Sequence, residues 1–564
     1  MLAGSFGQFS RVSAELVRRA ALRLAATGRG GYAFGAAAPD RMLIVPPDLL
    51  PGDPAIAQEI YSGVFQFSGR HVNAAGGNPF ASQRPDEVWR RELNAFGWLR
   101  HLSAAGGALT NRNAQALVRD WMEANGRPRD PVAWEAETVA RRLIAWCCHS
   151  PLILGNSDIR FYRQFMKSFG THVRLLRRAA YTATDGLPRL LVRIALAYAS
   201  VCANAGRPLQ VTSNRLLGEE LSRQILPDGG HVSRNPALLP ELVALLLPLR
   251  QCYARLGVAP APALGAALER MTPAIRFYRM GDGNFARMNG VSVTQRNLAL
   301  SVLRFDEGGG LTPQEAPDSA YVRLAAGDTI LLADVGAPPA GEWSLAAHAG
   351  CLSFEMSSGV APLIVNCGAP TIPQAQANRL CRTTAAHSTA TLNDTSSCRF
   401  GGDGLFGGLM KGRIVAGPSR PVLRRDSDEA GEVVTASHDG YVRAFDLVHH
   451  RTLRLSRSGN RLDGLDRFLR PNGEPRWRKS LDRAAIRFHL HPSVSAGRAR
   501  DSGNIVLSAT GGARWIFECA GVAPEVEESV FFAGAGGPRR SSQIVLNLRT
   551  SEIQEVSWAL LRAV

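Results

Sequence analysis

Lysine is almost absent. Lys167, Lys411 and Lys479 stand against 62 arginines in 564 residues, and the formal net charge is +17. Nearly all of the positive charge is therefore guanidinium. Two explanations remain open: a compositional bias of the coding sequence, and a surface that gathers polyanions. Guanidinium suits the second, because it pairs bidentately with carboxylates, sulfates and phosphates. Paired cysteine motifs are missing too. The nine cysteines include no CxxC, and only Cys147 and Cys148 adjoin. That excludes a disulfide framework or a zinc ribbon and fits a reducing compartment or small buried apolar side chains. Long apolar runs are lacking: Leu190 to Ala203 carries Arg193, and Leu242 to Leu249 carries Pro248. Neither would cross a bilayer. Arg11, Glu15, Arg18 and Arg19 interrupt the first residues, so no export signal is visible. The expectation is a cytoplasmic protein, at a membrane surface if the N-terminal segment is an amphipathic helix, and periplasmic if the start is mis-assigned. No helix-turn-helix, zinc finger or RNA-binding signature occurs, so nucleic acid is not expected as a partner. Oligomeric state is not readable.

What is present divides in two. The length is too great for one core. From about Asp86 the apolar residues recur at helical spacing, as in Val139, Leu143 and Trp146, or Phe165, Phe169, His172 and Leu176. Gly/Pro punctuation at Gly126 to Pro128, Gly186 to Pro188 and Gly206 to Pro208 separates these segments and suggests helical hairpins in a stack or ring. After about Arg276 the period becomes two. Ile486, Phe488 and Leu490 alternate with Arg487, His489 and His491, and Asp282-Gly283 is a turn signal. The expected organisation is an N-terminal segment over 1–85, a helical domain over 86–290 and a large antiparallel β-sandwich over 291–564.

Seven of the twelve histidines lie at or beyond position 348. His348, Asn366 and His387 stand on or beside neighbouring strands and can converge. Two imidazoles and one amide are a weak metal set, and a hydrogen-bonded polar patch inside the sandwich fits the same spacing. His449, His450, His489 and His491 are expected in loops or on solvated strand faces. Glu355 is left open between a cleft and water.

Several strings together resemble the heparinase II/III-like family. They are HAGCLSFEMSSGVAPLIVNCGAP from His348, RTTAAHSTATLND from Arg382, SHDGYVRAFDLVHHRTLRLS from Ser437 and AIRFHLHP from Ala485. ILPDGGHVSRNP from Ile225 resembles a segment of that family's helical domain, and WRRELNAFGWLRHL from Trp89 its leading part. The resemblance runs from about residue 60 to the end. It implies an incomplete α/α toroid followed by an antiparallel β-sandwich, and a lyase acting on an acidic, uronate-containing polysaccharide or oligosaccharide by β-elimination. In that reaction the uronate carboxylate is neutralised, a base takes the C5 hydrogen, and an acid protonates the leaving oxygen at C4.

Carried over residue by residue, the resemblance makes His348 and His387 members of a catalytic or metal cluster. Asn366 stands where the family has a metal-site aspartate. The implied cofactor is one divalent metal of the zinc or calcium class, held by His348, Asn366 and His387. His231, His348, Tyr441 and His438 are the catalytic candidates, and Arg234, Asn214, Arg215 and Arg382 the substrate-binding candidates. For His231 a turn histidine bonding to backbone, and for His438 and Tyr441 a strand-edge polar pair, remain equal readings. Three positions depart from the family. Leu238 stands where a tyrosine acid or base is expected, Ala346 where some lyases have a further histidine, and Arg215 where an Asn-His pair would have its histidine. Leucine and alanine transfer no protons. The alternative is therefore a non-catalytic glycan-binding or envelope-assembly protein that retains the fold.

Overall fold

Aspartate, proline and glycine set the helix boundaries. The computed structural model describes residues 39–563 apart from 75, 82–85, 127–129, 306–309, 373, 403–409, 420 and 476–481. The N-terminal stretch in which an amphipathic surface helix would lie is outside the described residues. Helix Glu87–Ala95 begins where Asp86 accepts the Trp89 amide at 2.7 Å, and helix Ile159–Thr182 where Asp158 accepts the Phe161 amide at 2.7 Å. Helices Leu187–Cys202 and Arg207–Gln224 each start after a glycine of positive φ, Gly186 (96°) and Gly206 (81°), with proline in the first turn. No described helix is long and apolar enough to cross a membrane.

The chain divides into two compact units: residues 1–225, 240–269 and 297–307, and residues 226–239, 270–296 and 308–564. In the first, Leu187–Cys202 packs against Ala136–Cys148, Ile159–Thr182 and Arg207–Gln224. It is buried from Arg189 to Cys202, as an all-round apolar helix should be. Its two arginines are neutralised inside: Arg189 and Arg193 each reach the buried Glu220 at 3.0 Å. Trp89, Phe96, Trp121 and Trp146 form an aromatic core. Arg142, 0% exposed, sits 4.1 Å over Trp121 and bonds His172 and the carbonyls of Asn94 and Ala133.

The second unit is a sandwich of two antiparallel sheets. The eight-stranded sheet runs Val422–Ser427, Gly431–His438, Val448–Ser456, Arg461–Leu469, Glu555–Arg562, Arg514–Cys519, Ile505–Ala509 and Val494–Arg498. The other runs Glu525–Phe531, Arg539–Arg549, Arg483–Leu490, Ala361–Val365, Phe354–Ser358, Thr329–Asp334, Tyr321–Ala326 and Glu315–Ala316, with Ala390–Leu392 beside Arg483–Leu490. Leu453, Leu455, Phe517 and Trp558 of the first meet Phe354, Ile486 and Phe488 of the second in one core. The Trp558 ring lies so close to Gly464 that a Cβ there would stand 2.0 Å from it.

Strand Val448–Ser456 alternates buried with half-buried positions, whereas every residue of Phe354–Ser358 is buried. That strand has cover on both faces. Its outer cover includes 270–296, where Arg287 meets Glu355 and the Gly281 amide meets Ser357. Residues 226–239, which include most of the string that resembles the family's helical domain, are likewise part of this unit, where Asp228 bonds Ser319 and Arg234 bonds Asp334. The Asp282-Gly283 signal is realised as a turn, with Gly283 at φ 79° and Arg279 bridged to Phe285.

Candidate functional site

The site is a continuous chain of buried polar contacts on the outer face of the nine-stranded sheet. It begins at the loop 226–235. Asp228 accepts the Ser319 amide and hydroxyl (2.5 and 2.8 Å) and the Gly230 amide (2.9 Å). Gly230 is required there, since a Cβ would stand 2.0 Å from Ser319 Oγ. His231 Nδ1 accepts the Ser233 amide (3.1 Å) and lies 2.7 Å from the Ser233 hydroxyl, and burial pushes its pKa down to about 4. This is the geometry of the turn histidine.

Arg234 has φ 59° and aims its guanidinium inward. It donates to Ser319 O (2.7 Å), Ala337 O (3.0 Å), Ala320 O (3.0 Å) and Asp334 Oδ1 (2.5 Å), with Tyr321 stacked 4.6 Å away. Burial works against the charge, and the Asp334 carboxylate more than offsets it, so the pKa rises. Instead of standing free as a carboxylate clamp, this guanidinium spends four donor bonds fastening the loop to the sheet.

Asn289 carries the chain onward. Its Nδ2 donates to Asp334 Oδ2 (3.0 Å) and to the Tyr321 hydroxyl (2.5 Å), and its Oδ1 accepts the His348 amide (3.1 Å). The His348 Nδ1 and His387 Nε2 atoms are 3.1 Å apart, and His387 Nδ1 donates to Thr383 O at 2.8 Å. The two residues are 4% and 1% exposed. Burial holds both imidazoles neutral: His387 falls to about 4, and His348 falls well below its usual value, helped by His387 and Arg382. Asn366 joins beside them, its Oδ1 accepting the Ser388 amide (2.9 Å) and its own amide donating to Glu355 Oε1 (2.9 Å). Glu355, left open by the sequence, is buried. Burial raises its pKa against the pull of Arg287, which bonds it through both backbone amide (2.8 Å) and guanidinium (3.2 Å).

Arg382 brackets His348. It donates to Ala347 O and Ser344 O (2.8 Å each), its carbonyl accepts the Ala349 amide, and it lies 4.5 Å over Phe400. No carboxylate among the described residues pairs with it.

The remaining candidates make contacts of their own. Tyr441 donates to Ala390 O (2.8 Å) inside the sandwich core, and burial raises its pKa. His438 is buried, its Nδ1 accepting the Gly440 amide at 3.1 Å. His449, expected to be solvated, is fully buried against Asp466 (2.7 Å), which also holds Arg451 and Trp558. His489 is buried as well, between Ser529 Oγ (2.8 Å) and Ala385 O (3.0 Å). Both are strand residues facing covered surfaces, which alternation alone does not distinguish. Asn214 and Arg215 belong to the helical unit. There Asn214 holds the backbone of Ala259 and Ala261, and Arg215 pairs with Glu219. Sequence reasoning missed Asp228, Asn289, Ser319, Tyr321 and Asp334. Each is an ordinary polar residue whose role exists only through a partner 45 or more positions away. The open surface hollow of about 520 Å³ lined by Gln314, Glu315, Arg425 and Glu432 contains none of the site residues.

The two imidazoles do not fit a divalent cation. Their facing nitrogens are within hydrogen-bond distance of each other, Asn366 Oδ1 is a neutral oxygen that already accepts the Ser388 amide, and the neighbouring charge is the Arg382 guanidinium. No three His, Cys, Asp or Glu side chains among the described residues could hold a metal.

Residues 309–559 match the family model described as Heparinase II/III-like, C-terminal. Over that stretch the chain is similar to this family. The heparinase-like architecture extends beyond it. A crystal structure of heparinase III superposes with a TM-score of 0.70 at 14% identity, over 98% of this chain and 90% of that one. A mutant of heparan sulfate lyase HepC from Pedobacter heparinus gives 0.64 at 15%, over 98% and 88%. At such identities the likeness is one of fold: helical toroid, then sandwich. FtsZ-localized protein C of Caulobacter vibrioides is 29% identical over 537 residues, 93% of this chain and 91% of that protein.

Proposed function

We propose that this chain acts on an acidic, uronate-containing polysaccharide by β-elimination, with the His348 region as the reacting centre. The observation that carries this reading is the juxtaposition of His348 and Arg382. Elimination from a uronate needs a base that is unprotonated at neutral pH and a cation that neutralises the carboxylate, so that the C5 hydrogen becomes acidic. Burial supplies the first by keeping His348 neutral. Arg382, half-buried and without a carboxylate partner among the described residues, supplies the second. The arginine-rich composition serves the same substrate class by raising its local concentration.

Each elimination leaves a double bond conjugated with the carboxylate, which absorbs in the ultraviolet. Incubating the full chain with glycosaminoglycans, alginate and other uronates should raise that absorbance, and His348→Ala and Arg382→Ala should abolish the rise. An unchanged absorbance across uronates, pH values and added metals would sink the elimination reading.

Two residues favour a second reading, binding without turnover. Leu238 and Ala346 stand where proton carriers are expected. The Caulobacter relative is named for FtsZ and not for a substrate, and a division-site protein that kept the fold would use it to hold a glycan or a partner. Salt-sensitive retention of polyanions with no new absorbance would support this reading, with the cytoplasmic side of the envelope as its place.

A further inference from the structure

The geometry points to a metal-free imidazole pair, in which a hydrogen bond from His348 to His387 stands where the family resemblance puts a cation, and the amide of Asn366 is what excludes the ion. This is independent of whether the chain turns over a substrate.

The protons fix the arrangement. His387 Nδ1 donates to Thr383 O, which leaves Nε2 as the acceptor of this ring. That lone pair faces His348 Nδ1 at 3.1 Å, where an N–H completes the bond and leaves the His348 lone pair on Nε2. His387 is therefore a positioning residue that selects the tautomer of His348. The backbone closes in on one side, since a Cβ at Gly350 would stand 2.8 Å from His387 Cδ2 and 3.3 Å from its Nε2.

Asn366 is oriented by the Ser388 amide, which its Oδ1 accepts. Its Nδ2 is consequently directed elsewhere, is fully buried, and has no hydrogen-bond partner among the described residues. An aspartate in this position would accept the same amide with one oxygen and offer the other, with its charge, to a cation. Asparagine offers an N–H in its place, which repels one. Zinc sites take three or four protein ligands, with the metal charge met by carboxylate or thiolate in many of them. Here two neutral nitrogens remain. Glu355 is committed to Arg287 and to the Asn366 backbone. The Cys367 thiol is turned to His489 Nδ1, 3.6 Å away.

The test uses the purified full chain. Wild type, Asn366→Asp, His387→Ala and the double variant Asn366→Asp/His387→Ala are exposed to Zn(II) or Ca(II) and freed of loosely held ion. Metal per chain is measured by plasma mass spectrometry, and the thermal midpoint with and without ion. The expected result is no stoichiometric metal and no midpoint rise in the wild type. Asn366→Asp should retain an equimolar ion with a raised midpoint, and adding His387→Ala should remove both. An equimolar metal in the wild type that disappears in His387→Ala overturns the inference. So does an Asn366→Asp variant that folds and gains no ion, because the amide is then not what excludes it. Should Asn366→Asp fail to fold, the wild type against His387→Ala decides alone. Neither readout depends on activity, so failure of this inference and failure of the lyase reading are separable.

Discussion

Arg234 Nη2 donates to Asp334 Oδ1 at 2.5 Å, joining a loop and a strand one hundred residues apart in a pair almost closed to solvent. The same Asp334 carboxylate accepts Asn289, which holds the His348 backbone. Breaking the pair strands a buried charge, which costs about 3–5 kcal/mol. Asp334→Asn should lower unfolding free energy in denaturant titration by roughly that amount. Arg234→Lys should recover little of it, because an ammonium cannot reach three carbonyls and a carboxylate in one plane.

Acid should destabilise the protein before ordinary carboxylates titrate. His231 and His387 are held down to about 4, and His489 to about 3, by burial. In the unfolded chain each returns to about 6.5. Between these values the unfolded state binds more protons, so stability is full above the unfolded pKa and is lost as pH falls towards the folded one. Each histidine contributes on the order of 3 kcal/mol when the loss is complete. Denaturation midpoints should therefore fall from about pH 6.5 downward, and His489→Gln should flatten the slope. A midpoint that is constant down to the carboxylate range would contradict burial of these rings.

Arg142 is a buried cation with no carboxylate partner among the described residues. Its guanidinium is held by His172, two carbonyls and the Trp121 face. Burial alone lowers its pKa. Arg142→Lys keeps the charge but loses the planar fork, leaving acceptors unpaired, and should cost about 2–4 kcal/mol. Loss of near-ultraviolet tryptophan dichroism at lower denaturant would register it.

At Gly464 an added methyl group would meet the Trp558 indole. Gly464→Ala forces the Trp558 ring away, and with it the Trp558 Nε1 bond to Asp466 at 2.9 Å. Overpacking of this kind costs about 1–3 kcal/mol. The midpoint in thermal unfolding reads the loss.

Tyr441 separates structural from chemical roles. Its hydroxyl donates to Ala390 O within the core. Tyr441→Phe should cost about 1–3 kcal/mol by leaving that buried carbonyl short of a donor, while any polyanion binding or elimination persists. Selective loss of elimination with unchanged stability would return Tyr441 to the catalytic set.

Helix boundaries, the change of period near Arg276 and the heparinase-like strings are local properties, so the sequence alone determined the helix-then-sandwich order. Gly186-Leu-Pro188 could only begin a helix, and Ile486, Phe488 and Leu490 could only line one face of a strand. The neighbourhood of His348 and His387 was also visible, through strings that carry both. Tertiary structure decided what each polar side chain is for. Arg234 was legible as a cation, but whether it meets a ligand or Asp334 depends on which face of the sheet the loop covers. His449 shares the core-facing side of its strand with Leu453 and Leu455, and His489 lies on the other side from Phe488 and Leu490, where its sheet is covered as well. Burial and long-range pairing set charge state and availability, and neither is encoded in spacing along the chain.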